Sequence, residues 1–430
     1  MRLARVRYGV VAGILVAAGA AACARRFVTA SGGSIDASSP RRVLNASDRT
    51  LRVGLTVSGT PRLSASGDWQ LYSLATDRLV ARVPQGEVWR LEREGARFRG
   101  VGPDGLTSTW QSGGLVARSA SSALVAYNGK HYRGELLFVP KDTGIVVVNR
   151  VRMDDYLRGV VPLEIGTRDS RDSAAVQAQA VTARSYAYVH IAAGSSRPYD
   201  VTASVSDQLY GGADAETAVS NAAVASTRGL VLQYGGRVVN APYHSACGGS
   251  TAGADEIWRS AAEPYLQRVS DEIPGTGRYY CDIGPRFRWT RTIDGATLRE
   301  DIVRYLASYT RTPGGYPGTP RDVEVDTRTP SGRVGTLKIA TDRGNYVLRG
   351  NDVRYVLRSA DGEILNSTNF TVETTPAPDG SIARVVMRGT GYGHGVGMCQ
   401  WGAIGRARAG QDFREILRTY YPGTTVAAIE

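Results

Sequence analysis

The sequence predicts an α+β protein, in which a β-rich N-terminal module precedes an α+β core with a central buried helix and a β-rich insertion. Three observations lead to this prediction. Short alternating apolar runs occupy residues 51–150, one long alanine-rich segment occupies residues 173–193, and alternating runs return at residues 323–357. Strands and helices are therefore segregated along the chain rather than regularly alternating, which is typical of α+β folds.

The overall composition is that of a globular protein with more than one domain. A chain of 430 residues with 42% hydrophobic and 21% charged residues is not disordered in bulk, and four cysteines are too few for a disulfide-dense scaffold. The net charge of +12 comes almost entirely from scattered arginines rather than from basic blocks. The sequence therefore predicts no nucleic-acid partner, while a weak attraction to an anionic envelope polymer stays open.

The N-terminus predicts export. Three arginines precede an uncharged stretch that ends in three alanines directly before Cys23, as in a secretory signal covering residues 1–22. Two alternatives follow: ordinary cleavage after residue 22, or lipid attachment at Cys23, which would be the chain's contact with a membrane. We expect a periplasmic or cell-envelope protein in either case. Residues 23–47 are rich in Ser, Gly, Pro and Arg and are interpreted as a tether.

The β-rich module is predicted over residues 48–148, and its clearest local signal is a hairpin. Asn128 and Gly129 lie between two β-rich runs, and both residues of such a turn take positive φ, which Asn and Gly tolerate best.

The central helix is predicted over residues 173–193. It begins after Asp172 or Ser173, which are good N-cap residues, and ends at Gly194. Arg184 is its only formal charge, so the helix is expected to be buried and Arg184 to be paired.

The remaining core is predicted to extend over residues 149–425 and to include a β-rich subdomain at about 285–385. Turn signals occur at Gly235-Gly236 and at Ser331-Gly332. A final helix begins at Asp412, which has capping-box spacing with Glu415, and Pro422-Gly423 close it.

Glu164 is the first candidate for chemistry. It stands in VVPLEIG among apolar neighbours, which we interpret as the junction between a strand-like run and the central helix. Desolvation there raises a carboxyl pKa, and a carboxylic acid that is protonated near neutral pH can donate a proton to a leaving oxygen. A structural glutamate that faces water from a loop is the alternative.

The second candidate is the stretch GTGYGHGVGMCQWGA. Glycine occupies every second position from 389 to 397, so an extended chain would carry all five on one face and Tyr392, His394, Val396 and Met398 on the other. Another strand or a ligand is expected to approach the bare backbone closely. Tight packing alone explains the pattern as well as a binding site does.

A third candidate is His244 with Cys247 in APYHSACGGST. A His and a Cys at this spacing can share a metal ion, with Cys281 or His394 as a further ligand. A Cys247–Cys281 disulfide or free thiols are equally compatible with an exported chain.

A fourth candidate is Gln208 with Tyr210, which precede a Gly-Gly pair. An amide and a phenol suit sugar recognition, although both residue types are also common at strand ends. No G-x-S-x-G elbow, P-loop or H-E-x-x-H motif is present, so the commonest serine hydrolase, nucleotide-binding and zincin functions are disfavoured.

The four segments together resemble the family of stage II sporulation protein D and the amidase enhancer LytB. The resemblance rests on NRVRMDDYLRGVVPLEIG with AVQAQAVTARSYAY, on DQLYGG, on YHSACGGST with the following Trp258, and on GYGHGVGMCQWGA with ILRTYYPGT. It covers the chain from about residue 50 onward.

The resemblance implies an exported cell-wall protein whose partners are peptidoglycan glycan strands and a cell-wall amidase. The sporulation branch implies a lytic transglycosylase that cuts peptide-free strands between N-acetylmuramic acid and N-acetylglucosamine, with the catalytic glutamate of V-P-x-E at Glu164. The family's motif positions further imply that the following residues line the cleft and bind substrate: Gln179, Arg184, Gln208, Tyr210, His244, His394 and Gln400.

Two departures and two alternatives accompany this expectation. The tryptophan common after the family's glutamate is missing in IGTRDSRDS. Some relatives bind zinc near the segment of His244 and Cys247, but no full ligand set matches here, so no cofactor is expected and zinc stays open. A non-catalytic peptidoglycan-binding module that stimulates an amidase is the alternative function, and a zinc hydrolase centred on His244 and Cys247 is a weaker one.

Overall fold

The computed structural model describes residues 49–119, 122–142, 144–193 and 196–429. The predicted signal segment, the tether and Cys23 lie outside the described residues. Within the described part of the chain, no helix combines the length and the apolar character that crossing a bilayer requires.

The N-terminal part is built from short strands that form two sheets. The strands are β1 (Thr50–Ser58), β2 (Arg62–Ala65), β3 (Trp69–Ser73), β4 (Leu79–Val83), β5 (Trp89–Glu94), β6 (Arg97–Val101), β7 (Gln111–Ser112), β8 (Leu115–Ser119), β9 (Val125–Tyr127), β10 (Lys130–Tyr132), β11 (Glu135–Lys141), β12 (Gly144–Arg152) and β13 (Val201–Thr202). One sheet has the order β13-β1-β12-β11-β8-β3-β4 and the other the order β10-β9-β2-β5-β6-β7. The predicted β-rich N-terminal region is confirmed.

Strand β13 connects this region to the rest of the chain. It pairs in parallel with β1 through Val53 and Val201, so a segment that follows the central helix completes the first sheet. The remaining described pairings in the two sheets are antiparallel. Some join consecutive strands, such as β3 with β4, whereas β1 pairs with β12, β3 with β8 and β2 with β9, which are distant in sequence. The predicted division at residue 148 stays a prediction.

The predicted hairpin turn is confirmed. Tyr127 pairs with Lys130, and the two turn residues between them take positive φ, with Asn128 at 48° and Gly129 at 80°. A two-residue turn of this kind matches the right-handed twist of its strands, which fixes their register.

Eight helices occur in the described residues. They are α1 (Met153–Ile165), α2 (Ser173–Ala193), α3 (Ala218–Ser226), α4 (Ala254–Ile257), α5 (Gly295–Tyr305), α6 (Asp352–Val356), α7 (Gln400–Arg408) and α8 (Phe413–Tyr420). Helix α2 has the predicted bounds. It packs against α1, α3, α7 and α8, and alanines along its length are fully buried, so the central buried helix is confirmed. Small side chains allow this many neighbours to approach one helix closely.

The second half of the chain contains shorter sheets. Its strands are β14 (Leu230–Tyr234), β15 (Arg237–Val238), β16 (Tyr243–His244), β17 (Glu272–Ile273), β18 (Arg278–Tyr279), β19 (Arg288–Asp294), β20 (Pro320–Arg328), β21 (Val334–Thr341), β22 (Gly344–Arg349), β23 (Phe370–Pro376), β24 (Ile382–Thr390), β25 (Met398–Cys399) and β26 (Thr425–Ala428). Hairpins at Gly235-Gly236 and around Ser331-Gly332 agree with the predicted turns.

Two large hydrophobic cores support these elements. One core extends from the N-terminal sheets through α1, α2, α7 and α8. The other is formed by β19–β24 with α5 and α6, within residues 293–387. The last helix, α8, has the predicted capping box, because Asp412 accepts from the backbone N–H of Glu415 while the Glu415 carboxylate accepts from that of Asp412.

Candidate active site around Glu164

Glu164 lies in the last turn of α1, and the sequence interpretation of this segment was wrong in one respect. VVPLEIG is helical up to Ile165, not a strand-like run. The β-branched valines and Pro162 locally favour an extended backbone. The valines are buried in the core, however, and this burial outweighs their weak local preference. Pro162 stands inside the helix, where it lacks the N–H that would bond to the preceding turn.

The loop that carries Gln208 packs directly on this helix. The backbone N–H of Gly211 donates to the carbonyl oxygen of Gly159 at 3.1 Å. A Cβ atom at Gly159 would lie 2.7 Å from the carbonyl oxygen of Gly212, so only glycine allows the loop to come this near. The close approach brings the loop backbone to the carboxyl group of Glu164.

Two hydrogen-bond donors meet the carboxyl group of Glu164. The backbone N–H of Leu209 donates to Oε1 at 2.6 Å, and the hydroxyl of Tyr243 also hydrogen-bonds to this carboxyl. Glu164 is half-buried. Burial raises its pKa from the ordinary 4.5 to about 7, although both hydrogen bonds act in the opposite direction. The carboxyl group is therefore partly protonated near neutral pH, as the sequence predicted.

A chain of buried hydrogen bonds orients Tyr243. Gln208 Nε2 donates to the Tyr243 hydroxyl oxygen at 3.0 Å, and Gln208 Oε1 accepts from the Tyr156 hydroxyl at 3.1 Å. Since the Tyr243 oxygen accepts from Gln208, its own hydrogen is free to point at Glu164. Burial and the charge of Glu164 raise the pKa of Tyr243 well above 10, so it stays a neutral donor.

Gln208 is thus adjacent to the glutamate but fully buried behind Tyr243. Tyr210 is also buried: its hydroxyl donates to Asn149 Oδ1 at 2.7 Å, and its ring centroid lies 5.0 Å from that of Tyr156. Both side chains lie in the interior, where they support the site. Their predicted contact with substrate stays a prediction.

Asp207, the carboxylate nearest in sequence to this loop, has its oxygens engaged. Oδ2 accepts from the backbone N–H and the hydroxyl of Thr202, and Oδ1 accepts from the Tyr186 hydroxyl at 3.1 Å. These bonds fix the loop that presents Leu209.

The glycine-rich stretch does not form the predicted extended ribbon. Strand β24 ends at Thr390, and Gly391, Gly393, Gly395 and Gly397 then take positive φ, so the residues between them do not share one face. The expected close approach does occur, and the approaching group is another segment of the chain. A Cβ atom at Gly397 would lie 2.0 Å from the carbonyl oxygen of Pro242.

His394, from this stretch, fixes the backbone of Tyr243. Its Nε2 lies 2.8 Å from the Tyr243 carbonyl oxygen, and its Nδ1 accepts from the Val396 N–H at 3.1 Å, which assigns the proton to Nε2. Burial and the charge of Arg354 lower the pKa of His394 to about 3. It is therefore a neutral positioning group at physiological pH.

His244 lies beside His394, with ring centroids 5.4 Å apart. Its Nδ1 lies 3.2 Å from the Val396 carbonyl oxygen, and among the described residues its Nε2 has no hydrogen-bond partner. Burial lowers the pKa of His244 well below 6.5.

The structure places Gln179, Gln400 and Arg184 in the interior. Gln400 Nε2 donates to Gln179 Oε1 at 3.2 Å between α7 and α2. Arg184 has no solvent exposure and forms an ion pair with Asp154 at 3.0 Å, which confirms the expected pairing. The predicted contact of these three side chains with substrate stays a prediction.

Cys247 is not beside His244 in a shared ligand set. Its sulfur belongs to a buried cluster with Asp271, Cys281 and Cys399. The Cys247 and Cys281 sulfurs are 3.4 Å apart and not bonded to each other.

Sequence reasoning missed two groups at the site, Tyr243 and the Leu209 N–H. Tyr243 directly precedes His244 in the motif APYHSACGGST, so its place in that motif could have identified it as a candidate. A backbone donor carries no side-chain signal, and only the close packing of the loop on Gly159 places it.

Comparisons with known proteins agree with the motifs. Residues 141–234 match the family model described as Stage II sporulation protein (SpoIID), and residues 279–397 match a model described as a domain of unknown function. An uncharacterized protein of Brachyspira hyodysenteriae is 29% identical over 389 residues, which cover 89% of this chain and 94% of that protein.

Two relatives from Bacillus subtilis carry functional names. The one named amidase enhancer is 29% identical over 72% of this chain and 46% of its own length, so the match spans about half of that protein. The one named Stage II sporulation protein D is 27% identical over 65% of this chain and 76% of its own length. The segment that matches the SpoIID model contains Glu164, and the resemblance predicted from the motifs is thereby confirmed.

Proposed function

We propose that this chain is an exported lytic transglycosylase that cleaves peptidoglycan glycan strands between N-acetylmuramic acid and N-acetylglucosamine. The observation that carries the proposal is Glu164, a half-buried carboxyl group with a pKa of about 7 and two hydrogen-bond donors directed at it. The predicted secretory signal and the relatives named Stage II sporulation protein D and amidase enhancer support a place in the cell envelope, with Cys23 as the lipid anchor.

In the first step the protonated Glu164 donates its proton to the glycosidic oxygen. The bond between that oxygen and the anomeric carbon of N-acetylmuramic acid breaks, and its electron pair leaves with the oxygen. The glutamate becomes a carboxylate just as the sugar becomes oxocarbenium-like. The Leu209 N–H and the Tyr243 hydroxyl fit this charged form, because a hydrogen bond donated to a carboxylate is stronger than one donated to the neutral acid.

In the second step the carboxylate acts as a base. It takes the proton of the primary hydroxyl of the same N-acetylmuramic acid, and the hydroxyl oxygen bonds to the anomeric carbon. The products are an anhydro-muramic end and a new N-acetylglucosamine end, and Glu164 is protonated again. One residue serves as acid and then as base, so this reaction needs no second nucleophilic carboxylate, in contrast to the usual two-carboxylate glycosidases.

The exposed end of α1 supports a polymeric substrate. Leu163, its neighbour on α1, is 43% exposed, so the end of this helix faces solvent. A long glycan can lie across an exposed site, whereas a closed pocket would admit only its ends.

The experiment that tests the proposal is product analysis on peptide-free glycan strands. The native protein is expected to release sugars with anhydro-muramic ends, detected by mass spectrometry. Glu164→Gln keeps the size of the side chain but has no proton to give, so the rate should fall by about 100-fold or more. Glu373→Gln is the matched control, because Glu373 is an exposed glutamate on strand β23, where it pairs with Arg388 of strand β24. A native protein that makes no anhydro product from such strands contradicts the proposal.

A second candidate function is stimulation of a cell-wall amidase without catalysis. The 29% identity to the relative named amidase enhancer favours it. In that case the native protein and Glu164→Gln would both bind glycan and raise amidase activity equally, and neither would form anhydro ends.

A further inference from the structure

Four side chains that the proposed reaction does not use meet in the interior of the chain. They are Cys247, Asp271, Cys281 and Cys399, all buried, and one ligand atom from each lies within 4.8 Å of the others. They come from four separate segments, so the fold rather than a local motif assembles them.

The spacing of the four atoms suits a tetrahedral ion. Cys247 Sγ lies 3.4 Å from Cys281 Sγ and 3.6 Å from Asp271 Oδ2. Zinc bonds thiolate sulfur at about 2.3 Å and carboxylate oxygen at about 2.1 Å, which places neighbouring ligand atoms of a regular tetrahedron about 3.5 to 3.8 Å apart. Small side-chain rotations therefore suffice to close the set around one ion.

Backbone donors are arranged for a negatively charged sulfur at Cys399. The N–H groups of Cys247 and Gly402 both donate to Cys399 Sγ, at 3.1 Å and 3.3 Å. Gly402 belongs to the first turn of the nine-residue helix α7, where the helix dipole also favours negative charge. A thiolate is the form of cysteine that binds metal ions.

Asp271 is oriented by two other side chains. Its Oδ1 accepts from the Tyr420 hydroxyl at 2.7 Å and forms an ion pair with Arg406 at 3.2 Å. Its Oδ2 faces Cys247 Sγ. One oxygen is thus fixed by its partners while the other points into the cluster, as is usual for a metal-binding carboxylate.

A second buried arginine lacks a counter-charge within hydrogen-bond reach among the residues that the structure describes. Arg333 is 1% exposed, and its Nη2 donates to the carbonyl oxygen of Cys247 at 2.6 Å. Among the described residues, its Nε and Nη1 have no hydrogen-bond partner. Its charge interacts with the three thiol groups of the cluster and with Glu256. A buried guanidinium needs negative charge nearby, and thiolates provide it.

We propose that Cys247, Asp271, Cys281 and Cys399 bind one zinc ion. Three thiolates, one carboxylate, the ion and the two guanidinium groups of Arg333 and Arg406 together carry no net charge, which a buried site requires. Soft thiolates in tetrahedral geometry select zinc over magnesium or calcium. All four positions are filled by protein, so the site is structural. Binding releases the protons of the three thiols, because each cysteine binds as a thiolate.

A Cys247–Cys281 disulfide is the competing arrangement. It needs the two sulfurs to approach from 3.4 Å to about 2.05 Å, and it leaves Cys399 as an unpaired thiol beside the Asp271 carboxylate. Zinc engages all four side chains. It also accounts for the donors on Cys399, and its thiolates compensate the buried charge of Arg333.

One of the proposed zinc ligands, Cys399, belongs to a strand that pairs with the strand carrying Tyr243. Cys399 pairs with His244 and Met398 with Tyr243 in the short parallel pair of β16 and β25. Zinc would therefore fix the segment that presents the Tyr243 hydroxyl.

The test is the zinc content of the full chain purified from cells grown with zinc. We expect about one zinc per chain by plasma mass spectrometry, and release of that zinc when a mercurial reagent blocks the thiols. Cobalt in its place should give the charge-transfer absorption of a cobalt–thiolate complex. Cys281→Ser and Cys399→Ser should each reduce retained zinc in a chelator by about 10-fold or more. Cys23→Ser is the matched control, because it removes the cysteine outside the cluster, and it should keep its zinc.

The native chain decides the question even where a variant fails to fold. Stripping zinc with a chelator should lower its melting temperature, and adding zinc back should restore it. A non-reduced chain whose mass and thiol count show a Cys247–Cys281 disulfide overturns the proposal. Three free thiols without zinc, or iron or copper in its place, also overturn it.

Discussion

Replacing Glu164 by Gln should make the protein more stable at neutral pH and have a much smaller effect at acidic pH. Gln accepts the Leu209 N–H bond as Glu does, but it is neutral at every pH. The native carboxyl group binds a proton more tightly in the folded chain, with a pKa of about 7, than in the unfolded chain, where it has its ordinary value of 4.5. Between these values the folded state binds more protons, so the native stability falls as pH rises.

The magnitude follows from the size of the shift. A rise from 4.5 to about 7 corresponds to about 3 kcal/mol at roughly 1.4 kcal/mol per unit. The native protein keeps this stabilisation below pH 4.5, loses it progressively up to about pH 7 and has none above. The difference in free energy of unfolding between Glu164→Gln and the native protein should therefore grow by up to about 3 kcal/mol over this window.

Urea unfolding of both proteins at several pH values between 4 and 8 measures this difference. Other titrating groups affect both proteins alike, so they cancel in the comparison. Glu373→Gln is the control for the chemical change itself, because Glu373 is exposed. A difference for Glu164→Gln that stays flat within about 0.5 kcal/mol across the window would show that burial does not raise this pKa, and the argument for a protonated acid would fail.

Two further predictions address the groups around the glutamate. Tyr243→Phe removes one hydrogen bond to the carboxylate of Glu164, and a bond to a charged group contributes about 1.5 kcal/mol. The alkaline limb of the pH–rate profile of glycan cleavage, expected near pH 7, should therefore move up by about one pH unit. An unchanged or more acidic limb contradicts this role. Gly397 has a positive φ of 71°, and a Cβ atom there would clash with Pro242, so Gly397→Ala should lower the free energy of unfolding by at least about 3 kcal/mol in thermal unfolding. Gly236 has a φ of 76° but open space around it, so Gly236→Ala should lower that free energy by only about 1 to 2 kcal/mol. Equal losses in the two glycine variants would show that the close approach at Gly397 is not a constraint.

Local signals predicted several elements of the regular structure. The bounds of α2 follow from its alanine-rich composition, the turn at Asn128 and Gly129 from its φ requirement, and the capping box at Asp412 from its spacing. In each case the residues that determine the element are neighbours in sequence. The apolar neighbours of Glu164 made it a candidate beside a structural alternative, and the family resemblance selected it; its raised pKa agrees with the desolvation expected from those neighbours.

The parts that sequence reasoning did not predict depend on contacts between distant segments. The residues before Glu164 predict a strand-like run but form the end of helix α1, because burial of the valines, not their local preference, decides the conformation. The alternating glycines predict an extended stretch, which the structure does not show, because alternation alone does not reveal positive φ. Asp271 joins the cysteine cluster from a segment without any motif, so no spacing rule could have associated it with Cys399.

The separate core of β19–β24 has an evolutionary consequence. Its buried apolar side chains pack against one another in a cluster of their own. The family model that matches residues 279–397 is also distinct from the one that matches residues 141–234. A lobe of this kind can diverge, enlarge or be exchanged while the segment bearing the acid group is inherited unchanged. Lineages could thus alter this lobe without rebuilding the segment that carries Glu164.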